Sequence, residues 1–485
     1  MLKKMVTLLT LCAFVNVYGM NLPEIGLSAD QVFSPAEEQE IGQQFMRQLR
    51  QQVKIIDSPE IEDYFNALGY RLAANSENPA QPFTFFVIKS ADINAFAAPG
   101  GFVGVHSGLI LHSRDESELA SVLAHEIAHV TQRHIARKVE ESGKLSLVSV
   151  AAIIAAVLAG ARNAELGQAG LAAIMAGNVQ MQIDFTRAHE KEADRVGMET
   201  LSKAGFNPLS MPSFFERLQL ENRFYENSVP EFLRTHPVTT DRIAEAKDRA
   251  EKIAHQETWH KDSNEYALMK AKVLVETSDD VEALVKQLEK SLETGKFRDE
   301  RAVHYALVQA GLLQKQPDNV ISHLNWLKEN DQDRVIYRQA AAQLSALQGN
   351  KEKALELCEN ALKIYPKDML LSTQYARLLL EEKRAGEAVK VLETLTISNR
   401  PDFYRLLAQA YQEAEQTGDA HLAMGESYYL NGQTGLAVEQ LKQALRLKNL
   451  SFYLASRLES RLNQWENELR ETKKDDEKHG RKSKG

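Results

Sequence analysis

The residues of this chain best suited to chemistry are His125-Glu126-Ile127-Ala128-His129, two histidines four positions apart with a glutamate after the first. On a helix such positions lie about 40° apart and one turn up, so both imidazoles can reach one metal ion. Glu126 then flanks the ion, where it can take a proton from a water. The implied chemistry is metal-assisted hydrolysis. A catalytic zinc needs a third protein ligand and one open position. A third histidine six residues after His129 would supply it, but that position is Ile135. On a continuous helix His134 lies about 180° around from His125 and is expected to take no part. The better candidates are downstream, in His189-Glu190-Lys191-Glu192-Ala193-Asp194. Glu190 and Asp194 share one face of a second helix. Glu190 could ligate, and Asp194 could accept a hydrogen bond from a ligating imidazole and fix its tautomer.

These residues need a helix that starts before position 116, and Ser113 with Glu116 has the spacing of a capping box for it. Ahead of it, 35–51 reads as an amphipathic helix. Phe83-Thr84-Phe85-Phe86-Val87-Ile88 and the stretch 101–106, after the turn Pro99-Gly100-Gly101, read as strands. From 114 to 255 the chain is mostly helical. It includes the Ala-rich apolar run 145–161, which we read as a buried or lid-like helix near the site; the alternative is a membrane-inserting helix or a peripheral contact with a membrane. The span 264–465 reads as helix pairs with a period of ~34 residues. Ala354, Cys358 and Ala361 recur as Ala388, Leu392 and Leu395, and again as Ala437, Leu441 and Ala444, with Gly425 and Tyr428 on the preceding helix. An earlier copy carries Leu307, Val320 and Leu324, and between Pro401 and Tyr429 the phase slips by half a repeat. Small residues at these places let two helices approach, and the spacing resembles tetratricopeptide repeats, scaffolds that bind polypeptides on a concave face. The tail 470–485 is nearly all charged and is expected to be disordered.

The N-terminus has Lys3 and Lys4, a short apolar run from Met5 to Val17, and Gly19 at a cleavage site, so 1–19 reads as a secretory signal peptide. The run is shorter than the ~20 residues a spanning helix needs. After cleavage only Cys358 is left, so an internal disulfide and a cysteine-based zinc site are both excluded. A net charge of −9 with no basic block argues against a nucleic-acid partner.

HEIAH with EKEAD downstream resembles the gluzincin peptidases of family M48. So do Asn94-Ala95-Phe96-Ala97-Ala98-Pro99-Gly100-Gly101, Gly108-Leu109-Ile110, Thr235-His236-Pro237 with Arg242, and the stretch 21–26. The resemblance implies a mainly α chain with a small β-sheet: an α+β metallopeptidase domain over 20–255, then an α-solenoid of tetratricopeptide repeats. It implies one zinc per chain held by His125, His129 and Glu190, with Glu192 the alternative to Glu190. Glu126 is the base, and Asp194 orients a ligand. His236 has two readings: it stabilises an oxyanion together with Arg242, or it fills the fourth zinc position and holds the enzyme off. The strand 101–107 is expected to pair with an extended substrate. Signal peptide, peptidase and repeats together resemble the periplasmic members of the family that attend outer-membrane protein assembly. They imply a peptidase and chaperone acting on unfolded or stalled outer-membrane proteins, alongside the β-barrel assembly machinery and the outer-membrane protein of lipopolysaccharide export. A chaperone or adaptor whose peptidase is largely latent is the alternative.

Overall fold

A computed structural model describes residues 34–141, 179–224, 230–254, 259, 262–397 and 399–482. The expected signal peptide, the 21–26 stretch and the 145–161 run lie outside the described residues. The fold is mainly helical with one small sheet. Helix α1 (Pro35–Gln52) starts at Ser34, whose hydroxyl accepts from the Glu37 N–H while the Glu37 carboxylate accepts from the Ser34 N–H. Helix α2 (Pro59–Ala73) follows, then β1 (Thr84–Ile88), β2 (Ala95–Ala98) and β3 (Phe102–His106). The sheet order is β1-β3-β2, with β3 parallel to β1 and antiparallel to β2. Successive side chains of a strand point to opposite faces. Thus Phe86 and Ile88 meet Phe45 and Leu49 of α1, while Phe85 and Val87 join Phe65, Leu68 and Leu72 of α2 in the main core. Between β2 and β3 the chain turns at Gly100 and Gly101, both with left-handed φ of 76° and 78°. A Cβ at Gly101 would also sit 2.0 Å from the Pro82 carbonyl oxygen.

The short helix α3 (Ser107–His112) leads to α4 (Glu116–Thr131), which carries the HEIAH motif. The expected cap, Ser113, is not the cap. Its hydroxyl donates to the Leu109 carbonyl, closing α3, and Asp115 caps α4 by accepting from the Glu118 N–H at 2.7 Å. Asp115 and Glu118 repeat the same cap pattern two residues later, and pattern alone does not separate them. After α4 come α5 (His134–Glu141), α6 (Val179–Lys203), α7 (Ser210–Phe224), α8 (Glu231–Thr235) and α9 (Thr240–Ala254). Helix α10 (Asn264–Thr277) has two apolar sides. Tyr266, Met269 and Val273 belong to the main core, and Leu268, Ala271 and Val275 to the first core of the repeats.

The repeats are α11 (Val281–Thr294), α12 (Glu300–Gln314), α13 (Pro317–Asn330), α14 (Val335–Leu347), α15 (Lys351–Ile364), α16 (Met369–Glu381), α17 (Ala385–Glu393), α18 (Pro401–Glu413), α19 (Thr417–Leu430), α20 (Thr434–Leu445) and α21 (Phe452–Lys482). Ala354, Cys358, Ala361, Ala388, Leu392, Ala437, Leu441 and Ala444 are all buried where helices meet. Helix α19 packs on both α18 and α20. The array touches the peptidase part at both its ends. Lys272 and Tyr305 converge on the buried Glu60 of α2, and Arg47 of α1 pairs with Glu468 and lies 4.4 Å over the Tyr429 ring. Helix α21 runs on to Lys482, through most of the tail expected to be disordered. Its Lys- and Glu-rich sequence is a strong helix former. No helix among the described residues is long and apolar enough to cross a membrane.

Candidate metal centre

Helix α4 presents His125 and His129 on one face, and α6 crosses it there. The crossing is tight: a Cβ at Gly197 would lie 3.0 Å from the Ala124 carbonyl oxygen and from the His125 Cα. That approach brings Glu190 and Asp194 of α6 up to the two imidazoles. The Nε2 atoms of His125 and His129 are 3.0 Å apart, and each lies 3.4 Å from a Glu190 oxygen. His236, at the end of α8, completes the group, its Nδ1 3.4 Å from His125 Nε2 and 3.1 Å from Glu190 Oε1. Four ligand atoms placed tetrahedrally ~2.05 Å from an ion are about 3.3 Å apart. Two or more imidazoles and a carboxylate converging at that spacing suit a zinc-sized ion.

Around this group the charges are arranged by burial and pairing. Burial alone would raise the Glu190 carboxyl, but His236, His125 and His129 hold it well below its ordinary range. Burial pushes His129 down to about 4, so it is neutral at pH 7. His125 is driven up to about 10 against its burial, by Asp194 and Glu190. Asp194 Oδ1 is 3.1 Å from His125 Nδ1. Asp194 in turn takes two hydrogen bonds from Arg242, at 2.7 and 2.8 Å. Arg242 also donates to the Pro237 carbonyl at 2.7 Å and approaches Glu190 to 3.0 Å. Four of its five donors are thereby engaged in holding the site, and Arg242 ties the His236–Pro237 corner to α6. Phe232 stacks on the other face of His236, with ring centres 4.9 Å apart.

Glu126 is 1 % exposed, and neither carboxylate oxygen has a hydrogen-bond partner. Burial raises its pKa, and His236 and His125 draw it back. His236 Nε2 lies 3.4 Å from it. Glu192, the alternative third ligand, points away to His134 and Arg137.

The strand expected to receive substrate is corrected. β3 is the central strand, hydrogen-bonded on both sides, and has no free edge to offer. Strand order is set by tertiary packing and is invisible to local composition. The outer strand is β2. The His106 N–H donates to the Asn94 carbonyl. Antiparallel pairing then alternates, so Ala95 and Ala97 turn their N–H and C=O groups to the outer edge.

His134 was expected to stand apart, yet its Nδ1 is 2.9 Å from His129 Nδ1. His189 is buried and stacks on His134 at 4.1 Å. His106 is buried on β3, and Trp326 stacks on His304 at 3.9 Å, far from this centre in the chain.

The profile of peptidase family M48 matches residues 59–250, and a tetratricopeptide-repeat profile matches residues 346–409. The β-barrel assembly-enhancing protease of Escherichia coli K12 is 32% identical over 447 residues, covering 91% of each chain. A Vibrio cholerae protein provisionally given the same name is 36% identical over 473 residues, covering 94% of this chain and 96% of that one. The metalloprotease LoiP of E. coli is 29% identical over 184 residues, 38% of this chain and 67% of its own.

Proposed function

Because the chain belongs to peptidase family M48, and so is a metallopeptidase, we propose that it is a zinc endopeptidase and chaperone of the periplasm. Its task is to promote assembly of outer-membrane β-barrel proteins and to degrade those that stall. The observation that carries the peptidase reading is the convergence of His125, His129 and Glu190 at tetrahedral spacing beside the buried Glu126, whose oxygens have no hydrogen-bond partner. The name of the E. coli relative supports the client class. In this reading 1–19 is a signal peptide, 20–255 the peptidase domain, 264–465 the repeat domain and 470–485 a charged tail. Unfolded outer-membrane proteins, the β-barrel assembly machinery and the outer-membrane protein of lipopolysaccharide export are the partners.

Bound at His125, His129 and Glu190, zinc supplies Lewis acidity to the scissile carbonyl and brings the pKa of water toward ~7. Glu126 takes the proton of the attacking water on its carboxylate and passes it to the leaving amine. Asp194 holds the His125 imidazole with Nε2 bare toward the ion. The outer edge of β2 hydrogen-bonds an extended client along Ala95 and Ala97, reading backbone more than side chains, which suits clients of varied sequence.

Cleavage of an unfolded outer-membrane β-barrel protein by the purified chain tests this. Cleavage is expected, stopped by a chelator and restored by one equivalent of zinc. Unchanged cleavage after full metal removal would sink the scheme.

A latent enzyme acting mainly as chaperone is the second reading, favoured by His236. Its Nδ1 fills the corner that a catalytic zinc leaves open, and its Nε2 faces the base. His236 then acts as a plug. His236→Ala is expected to raise client cleavage several-fold by freeing the inhibited fraction. A loss of cleavage would instead assign His236 to the reaction itself.

A further inference from the structure

Helix α4 does not simply run into α5. Arg133, between them, adopts a left-handed φ of 52°, a conformation that a non-glycine residue rarely takes. Uninterrupted, the helix would carry His134 to the far side from His125. The reversal at Arg133 instead folds His134 back over His129. His134 is 3 % exposed, its Nδ1 lies 2.9 Å from His129 Nδ1, and its Nε2 lies 3.1 Å from Glu192 Oε2. His189 stacks flat on it at 4.1 Å with the planes 7° apart, and Arg137 binds the same Glu192 oxygen at 2.8 Å.

The directions of these hydrogen bonds follow from the chemistry of the groups. A carboxylate paired with Arg137 only accepts, so His134 Nε2 carries the proton. With the Nε2 of His129 aimed at Glu190 and His125 as a ligand atom, its proton sits on Nδ1, so across the 2.9 Å contact His129 donates and His134 Nδ1 accepts. We infer that His134, held by Glu192 and His189, is a positioning residue that fixes the tautomer and orientation of His129 for metal binding. His125 is oriented directly by a carboxylate, Asp194. His129 is oriented by a carboxylate acting through a neutral imidazole.

The inference rests on His129 being a metal ligand, and a zinc titration against a competing chelator separates the two claims. A parent chain that binds no zinc sinks both. With a parent that binds, His134→Phe keeps the ring and its stacking on His189 but removes both nitrogens. Its zinc dissociation constant is expected to rise about 10- to 100-fold. His134→Asn returns an acceptor to the Nδ1 position and is expected to stay within about threefold of the parent. The metal-free melting temperatures should agree among all three. Parental affinity in the Phe variant, or an Asn variant as weak as Phe, would overturn the inference. Should the Phe variant fail to fold, Glu192→Leu and Glu192→Gln serve at a position 29% exposed. Leu is expected to weaken zinc binding several-fold and Gln, which still accepts, to spare it. Equal affinities for the two would overturn it.

Discussion

Glu126→Gln is expected to abolish client cleavage while leaving zinc content and fold unchanged. The glutamine has the same shape but cannot take a proton, and loss of a positioned general base costs about 10²- to 10⁴-fold in rate. Both oxygens of Glu126 are buried without a hydrogen-bond partner, with His236 Nε2 3.4 Å away. Burying a carboxylate with so little pairing is a cost, and the neutral amide relieves part of it. The melting temperature should therefore hold or rise as activity disappears. The measurement is a side-by-side rate, zinc stoichiometry and thermal melt. A variant that retains more than about a tenth of the parental rate would remove Glu126 from its role as base, since even a modest base contributes more.

Arg242→Met is expected to be the most destabilising single change in the centre. The guanidinium is 1 % exposed and holds Asp194, Glu190 and the Pro237 carbonyl together. Methionine fills much of the volume but leaves two buried carboxylates facing each other. Breaking one side of such a buried pairing costs about 3–5 kcal/mol. For a peptidase part of this size that lowers the melting temperature on the order of 10 °C. Zinc affinity should fall as well, because Asp194 loses the group that holds it against His125. Arg242→Lys should rescue little, since an ammonium cannot span Asp194 in two parallel hydrogen bonds. A melt within about 2 °C of the parent would show that the corner is held by other contacts.

What could be read from sequence was whatever obeys a helical period or shows in local composition. His125 with His129, and Glu190 with Asp194, share a helix face by arithmetic alone, and the small residues Ala354, Cys358 and Ala361 mark helix contacts because a larger side chain would not fit there. The stretch 83–88, rich in aromatic and β-branched residues, holds the strand Thr84–Ile88 by composition rather than by period. What could not be read depends on groups distant in sequence or on backbone that residue type does not announce. Arg133 carries no signal for a left-handed φ, so the return of His134 onto His129 was not legible, although His134 stays outside the ligand group. The position of β3 between two strands, the partners of Arg242, and the choice of Asp115 over Ser113 as cap are all decided by neighbours that no local pattern names.

Helix α10 has a consequence for how the chain can be divided. It lends Tyr266, Met269 and Val273 to one core and Leu268, Ala271 and Val275 to the other, so neither half keeps a complete interior without it. A cut before the helix strips a wall from the peptidase part, and a cut after it strips one from the repeats. Opening either core exposes one side of a helix that both share, which couples their unfolding. Each half therefore needs this helix, and a fragment of either one must carry it to close its core.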